Sequence, residues 1–456
     1  MNLNRDIETI LTTSIHFVQV RRAAKGRSTR FALLLTFASI GWTTAFSQTD
    51  VYLKVYARTF QRMEIDLYPF AGERPGTDSD ITTALITEVL SHDLWMSGYF
   101  KVNRKFGTPE TNVANLEAQN SGRHGALALV TGTFRIDNQS VTIRPDLVDR
   151  VSGRTIIRSD YSEGAGRERY AIHHIADDIV YSLTGVRGIA TSKIAYVQEG
   201  RDGAKEIAIM DFDGKNIRTL TADKSINLSP AWSPDGSKIC YTSYRDDNPN
   251  LYVLNLRTDT QYRLSNVKGL NSAPAWSPDG NQIALTLTKD GNAELYILEI
   301  EQKKLRRLTY NRAIDSSPSW SPSNRDLAFA SDRSGSPQIY IMDSDGLNVR
   351  RLTFEGSYND TPAWSPRGDK IAYVSRTDSG FDIYTIDVTG ENTMRLTDSS
   401  SSNEDPNWSP NGFSLIFSST RSGRKELYSM FWDGSDQKRV TSGGTNYLPA
   451  WSPRLR

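Results

Sequence analysis

Pro274-Ala275-Trp276-Ser277-Pro278-Asp279-Gly280 reads as a short strand running into a tight turn, and it decides the fold because it recurs. Trp-Ser-Pro stands at Trp232, Trp276, Trp320, Trp364, Trp408 and Trp451, at spacings of 44, 44, 44, 44 and 43 residues. A period of about 40–50 residues with strand-like content is the signature of a β-propeller. Working outward, Ser277-Pro278-Asp279-Gly280 fits a type I turn, with proline presetting φ at the second position and glycine closing it. Residues 282–286 alternate as a second strand, 289–292 supply a hairpin turn, 295–298 form a third strand and 305–309 the outer one. Four strands joined by tight turns make one twisted blade, and the recurring tryptophan is expected to pack between neighbouring blades.

The count of units predicts a closed ring. Bodies of three strands begin near Ile194, Ile239, Ile283, Leu327, Ile371 and Leu415. Only the first has no Trp-Ser-Pro before it, and only the Trp-Ser-Pro at Trp451 has no body after it. Leu448-Pro449-Ala450-Trp451 therefore fits as the inner strand of the first blade. That closes six blades and removes the free sheet edges.

Residues 48–187 lack the repeat and read as a separate small α/β domain, so the fold class is an α+β N-terminal domain followed by a six-bladed β-propeller over 188–456. Thr77, Asp78, Ser79 and Asp80 offer helix N-caps. Ile81, Ala84, Leu85, Val89 and Leu90 follow helical spacing. Residues 127–136 and 141–143 read as strands joined at Asp137-Asn138-Gln139. Residues 167–183 form a second helix, with Ile172, Ile175, Ala176, Ile179 and Leu183 on one face and Gly185 as its stop. His173 and His174 lie on this helix, in structural or surface roles rather than catalytic ones.

The N-terminus carries an address. Arg27 and Arg30 precede the apolar run 31–40, and Ala45-Phe46-Ser47 is small at the two positions a signal peptidase inspects. The run is too short to span a membrane. No cysteine follows it closely, so it offers no acceptor for a lipoprotein anchor. Cleavage after Ser47 removes six basic and two acidic residues and takes the net charge from +1 to −3. A chain so balanced has no broad basic field for nucleic acid. Its single thiol, Cys240, excludes an internal disulfide framework and a cysteine zinc cluster.

Several stretches resemble the TolB family of the Gram-negative Tol–Pal envelope system. Asp93-Leu94-Trp95-Met96-Ser97-Gly98-Tyr99-Phe100 is similar to that family's DLxxSGxF. His174-Ile175-Ala176-Asp177-Asp178-Ile179-Val180-Tyr181, with Leu183-Thr184-Gly185, resembles its helix and exit. Lys193-Ile194-Ala195-Tyr196-Val197 resembles its first propeller strand, and the six Trp-Ser-Pro repeats complete the likeness. The resemblance implies a periplasmic, monomeric scaffold rather than an enzyme, with no cofactor or resident metal. Its implied partners are the lipoprotein Pal on the propeller and TolA on the N-terminal side, and other outer-membrane proteins are further partners it allows. The role implied is outer-membrane integrity and its constriction at cell division. The TolA contact falls on the mature N-terminal segment, Gln48, Thr49, Asp50, Val51, Tyr52 and Leu53, whose alternation suits edge pairing.

Between each outer strand and the next inner strand the chain must cross one face of the ring. The residues there are Asn227-Leu228-Ser229, Asn271-Ser272-Ala273, Asp315-Ser316-Ser317, Asn359-Asp360-Thr361, Asn403-Glu404-Asp405 and Asn446-Tyr447. They are expected to be exposed loops forming a polar, acidic rim, and by the resemblance this rim receives Pal. The rival readings are turn and cap residues only, and an exported carbohydrate- or peptide-binding propeller with no Tol role. A prolyl-peptidase-like hydrolase lacks its G-x-S-x-G elbow here, and no histidine follows residue 174 to hold a propeller metal. Asp211-Phe212-Asp213-Gly214 and Asp343-Ser344-Asp345-Gly346 open like calcium loops but lack the later ligands, so they read as hairpin turns. Arg306-Arg307 and Arg350-Arg351 read as a solvated outer-strand face.

Overall fold

A computed structural model of the chain describes residues 62–74, 76–107, 126–398 and 401–455. The expected leader, its cleavage point and the segment 48–53 lie outside the described residues. Among those described, no helix is long and apolar enough to cross a membrane.

Among the described residues, the N-terminal part is one mixed sheet with two helices. Strands β1 (Met63–Leu67), β2 (Ala71–Gly72), β3 (Phe100–Arg104), β4 (Ala128–Asp137), β5 (Ser140–Asp149), β6 (Thr155–Arg158) and β7 (Tyr161–Gly164) are accompanied by α1 (Thr77–Met96) and α2 (Glu168–Thr184). The main path is β3-β1-β4-β5-β6, with β1 parallel to β3 and β4. The β4–β5 hairpin pairs Asp137 with Ser140, so Asn138 and Gln139 form its loop, and β5 runs further than the short apolar run suggested.

Two expectations for α1 are corrected. Its N-cap is Gly76, so Thr77, Asp78, Ser79 and Asp80 occupy the first turn, where Asp78 and Asp80 complement the helix dipole. Val89 and Leu90 are buried and Leu85 packs against the core as expected, but the face continues through Thr82, Ile86 and Leu94, while Ala84 is exposed and Ile81 is 63% exposed. The helix carries two adjacent apolar stripes, and the one with the larger side chains in its second half takes the core. Helix α2 buries Ile172, Ile175, Ala176 and Ile179 as expected, and the Gly185 N–H closes it on the Tyr181 carbonyl at 2.8 Å with φ at 72°.

Residues 193–451 form six four-stranded antiparallel sheets. The inner strands are Asn227–Trp232, Asn271–Trp276, Asp315–Trp320, Asn359–Trp364, Asn403–Trp408 and Thr445–Trp451. The last of these pairs with Lys193–Glu199, bringing Trp451 opposite Ile194 and closing the ring across the whole propeller sequence. The clasp is reinforced by Lys193 N–H to Ser452 Oγ at 2.9 Å and Trp451 Nε1–H to Ser192 Oγ at 2.8 Å. In the unit first quoted, Gly280 N–H meets the Ser277 carbonyl at 2.9 Å, as a tight turn requires.

The α/β part is fused to the propeller by the stretch Asp93–Phe100. Ile65, Leu90 and Phe100 share one apolar cluster with Tyr196, Met210, Ile416, Leu427 and Trp451. The Trp95 ring meets Phe431 edge-on at 4.7 Å, and the Tyr99 ring meets Phe413 at 5.1 Å. Asn411 donates to the Ser97 carbonyl at 3.0 Å. Gly98 has φ at 83°, and a Cβ there would lie 3.0 Å from Phe413, so neither backbone nor space accommodates a side chain.

Candidate partner-binding faces

Each inner strand crosses the ring from one mouth to the other, so the propeller has two faces. One carries the strand starts, the other the Trp-Ser-Pro turns. The Asp211–Gly214 turn lies on the second face, and so do Asn411 and Phe413. The α/β part therefore covers part of that face.

At the first face the expected rim is built differently from a set of loops. Asn271, Asp315, Asn359 and Asn403 each begin an inner strand, and with Asn227 and Asn446 all are buried. Ser272, Ala273, Ser316, Ser317, Asp360, Thr361, Glu404, Asp405 and Tyr447 are half-buried. The third residue of each trio bends backward. Ser229, Ala273, Ser317, Thr361, Asp405 and, in the last strand, Leu448 have φ of 52, 48, 55, 48, 57 and 50°. A proline follows each, and the register slips there in every inner strand. The slip is a β-bulge, in which proline's missing N–H costs no ladder bond.

The buried amides of the strand starts reach across to the preceding blade. Asn446 donates to Glu426 at 3.1 Å, Thr441 Oγ1 donates to the same carboxylate at 2.6 Å, and Arg439 pairs with it at 2.9 Å. The neighbouring blade repeats this with Asn403, Thr397 and Arg395 on Asp382. Glu426 and Asp382 are almost fully buried, and each has the arginine partner and hydrogen bonds that a buried carboxylate requires. This corrects the reading of the outer strands as merely solvated. Arg307 bonds Glu294 at 2.9 Å and its own Thr309 carbonyl, while Arg306 and Arg350 reach carbonyls of the next blade, Ser344 and Val388.

The first face exposes large apolar side chains among polar loop residues. Tyr310 is 73% exposed, Phe354 71% and Ile314 54%. All three lie in loops leading to inner strands, on the face that also carries the half-buried Tyr358–Asp360 and Lys425–Glu404 pairs, at 2.9 Å each. Burial, and then Asp360, push the Tyr358 phenol up to about 12. At the other mouth a cavity of about 1260 Å³ is walled by Trp232, Trp364, Trp408 and Trp451, with Arg187 and Arg454 among its polar lining.

Residues 180–455 match the TolB beta propeller domain, and residues 51–156 match the TolB amino-terminal domain. The chain belongs to the TolB family. It is 36% identical over 220 residues to the Tol-Pal system protein TolB of Desulfosudis oleivorans, covering 47% of this chain and 50% of that protein. It is 33% identical over 226 residues to that of Nitrosomonas europaea, covering 49% and 52%. The chain thus spans about half the length of the curated relatives it matches. The crystal structure of TolB from Acinetobacter baumannii superposes with a TM-score of 0.72 at 30% identity, over 86% of this chain and 97% of that one.

One feature of this TolB-family chain has no counterpart in sequence spacing. His173 on α2 is buried, its Nδ1 2.6 Å from Asp93 on α1 and its other nitrogen facing Asp213 of the propeller. Burial would raise the Asp93 carboxyl, but the imidazole outweighs it and holds that carboxyl below its usual range. Burial would lower the His173 ring, and Asp93 outweighs that in turn, so the ring holds a proton more readily than a free imidazole. The partners are eighty residues apart, and only the fold brings them together.

Proposed function

We propose that the chain is an exported, periplasmic scaffold of the Tol–Pal system, non-enzymatic, that maintains the outer membrane and supports its constriction at division. Pal docks on the propeller face that carries the strand starts, across the half-buried rim 271–273, 315–317, 359–361, 403–405 and 446–447. TolA engages the N-terminal side through residues 48–53. The observation that supports this reading is the pairing of both TolB domains in one chain, welded at Asp93–Phe100 so that, among the described residues, one propeller face is partly covered and the other stays open. The open face has what a protein partner uses, exposed aromatics within a polar, partly acidic surround. Calorimetry of the purified chain with the soluble domain of Pal tests it. Saturable one-to-one binding is expected. Absence of binding, with tight binding of an envelope glycan instead, returns the chain to the carbohydrate-binding alternative.

A further inference from the structure

The Asp211-Phe212-Asp213-Gly214 turn looks like an incomplete cation loop in sequence, and the fold supplies what the loop lacks. His173 arrives from the α/β part so that one donor atom each from His173, Asp211 and Asp213 lies within 4.8 Å of the others. The site is closed, with side-chain exposures of 3% for His173, 4% for Asp213 and 10% for Asp211. Phe212 packs edge-on against the His173 ring at 5.6 Å.

We propose that His173, Asp213 and Asp211 bind a divalent transition-metal ion of the zinc class at the junction of α2 and the first blade. His173 Nε2 is buried, has no hydrogen-bond partner and faces Asp213 Oδ2 at 3.8 Å. An N–H···O bond would draw the pair to about 2.9 Å. Two ligands on one tetrahedral ion, with bonds of about 2.0–2.1 Å, stand about 3.4 Å apart. The gap therefore suits a shared cation better than a shared proton. Asp93 accepts from Nδ1 at 2.6 Å, which fixes the tautomer that turns the Nε2 lone pair toward the turn. A carboxylate behind a ligating histidine is the usual outer support of a zinc site.

Charge points the same way. Asp93, Asp211 and Asp213 bring three carboxylates, while Arg169 on Asp213 and Lys193 on Asp211 bring two permanent cations. With the His173 ring neutral, one negative charge is left in a buried cluster, and a bound cation offsets it in place of the ring proton. Each carboxylate oxygen keeps a lone pair beyond the bond it already accepts. One imidazole nitrogen with carboxylate oxygens favours zinc over calcium or magnesium, which prefer all-oxygen shells. The site is closed and links both parts of the molecule, so its role is to hold their relative orientation. The related turn Asp343-Ser344-Asp345-Gly346 has the same spacing but no histidine opposite it, and serves as an internal control.

The test uses the full chain stripped with a chelator and then titrated with zinc chloride. One equivalent should bind and raise the melting temperature, while calcium and magnesium chloride leave it unchanged. His173→Gln and Asp213→Asn should each weaken zinc at least tenfold, and Asp345→Asn should not. Because either variant could disturb the junction, X-ray absorption of the zinc-loaded wild-type chain provides a second readout, expected to show one imidazole in a nitrogen–oxygen shell. Failure to bind stoichiometric zinc, equal binding by Asp213→Asn, an equal response to calcium, or a shell without imidazole would each overturn the proposal.

Discussion

Asp405 sits in the left-handed region, at φ of 57°, with a carboxyl that accepts from Ser418 Oγ at 2.7 Å. Burial raises its pKa above the usual carboxylate range, against the pull of Ser418 and Lys425 and with help from the like charge of Glu404. A carboxyl whose folded pKa is raised is favoured in its protonated form, so ionisation at pH 7 subtracts from stability. That cost is absent below the unfolded value of about 3.9 and is complete above the folded one. Asn keeps an acceptor oxygen, carries no charge and tolerates the left-handed region better than most residues. Asp405→Asn is therefore expected to melt higher than the parent at pH 7, with the gap closing toward pH 3.5. Scanning calorimetry at several pH values checks this, and a lower melting point at pH 7 would mean that attraction to Lys425 outweighs burial.

The repeat elements look equivalent in sequence, yet their tryptophans do not behave alike. Trp232, Trp320 and Trp408 donate to carbonyls of the preceding inner strands, Ala450, Ala275 and Ala363, at 3.0, 3.1 and 3.0 Å. Trp276 and Trp364 leave the indole N–H buried without a partner. A net hydrogen bond contributes about 1 kcal/mol, so Trp408→Phe should cost about 1 kcal/mol more than Trp364→Phe in urea unfolding, the volume change being the same. Equal costs would show that the carbonyl contact contributes nothing. The period, the turn chemistry and the orphaned first and last units made six blades and their closure legible from sequence. The burial of the rim was not legible. Whether Asn446 faces solvent or Glu426 depends on a strand twenty residues away that no local pattern reports. The second helix was readable because its one apolar stripe is unambiguous, whereas α1 offers two stripes and only packing against the sheet selects between them.

At the scale of the molecule the two faces of the ring have different fates. The seam at Trp95, Ser97, Gly98 and Tyr99 covers one with the α/β part, and the other presents Tyr310, Ile314 and Phe354 to solvent. Several large exposed apolar side chains on one face make it a candidate interaction surface. Each ring also has a cation against it, the Arg307 guanidinium 4.7 Å from the Tyr310 ring and Arg351 4.9 Å from Phe354, which narrows its freedom. A preorganised ring loses less side-chain freedom when a partner covers it. A specific interface of about 1,200–2,000 Å² would reach from these rings to the rim, and a few central residues would dominate it. Reversing the charges of Asp360 and Glu404 is a poor probe, because both are half-buried and hydrogen-bonded and Glu404 would become a lysine beside Lys425. Tyr310→Ser with Phe354→Ser is the sharper one. Removing two exposed rings should leave the melting temperature within a degree or two and weaken Pal at least tenfold, about 1.4 kcal/mol. Ile217→Ser with Leu347→Ser, at 54% and 61% exposure on the opposite face, should leave affinity unchanged. Calorimetric titration of all three proteins decides it. Full affinity in the first pair together with loss in the second would move Pal to the face shared with the α/β part.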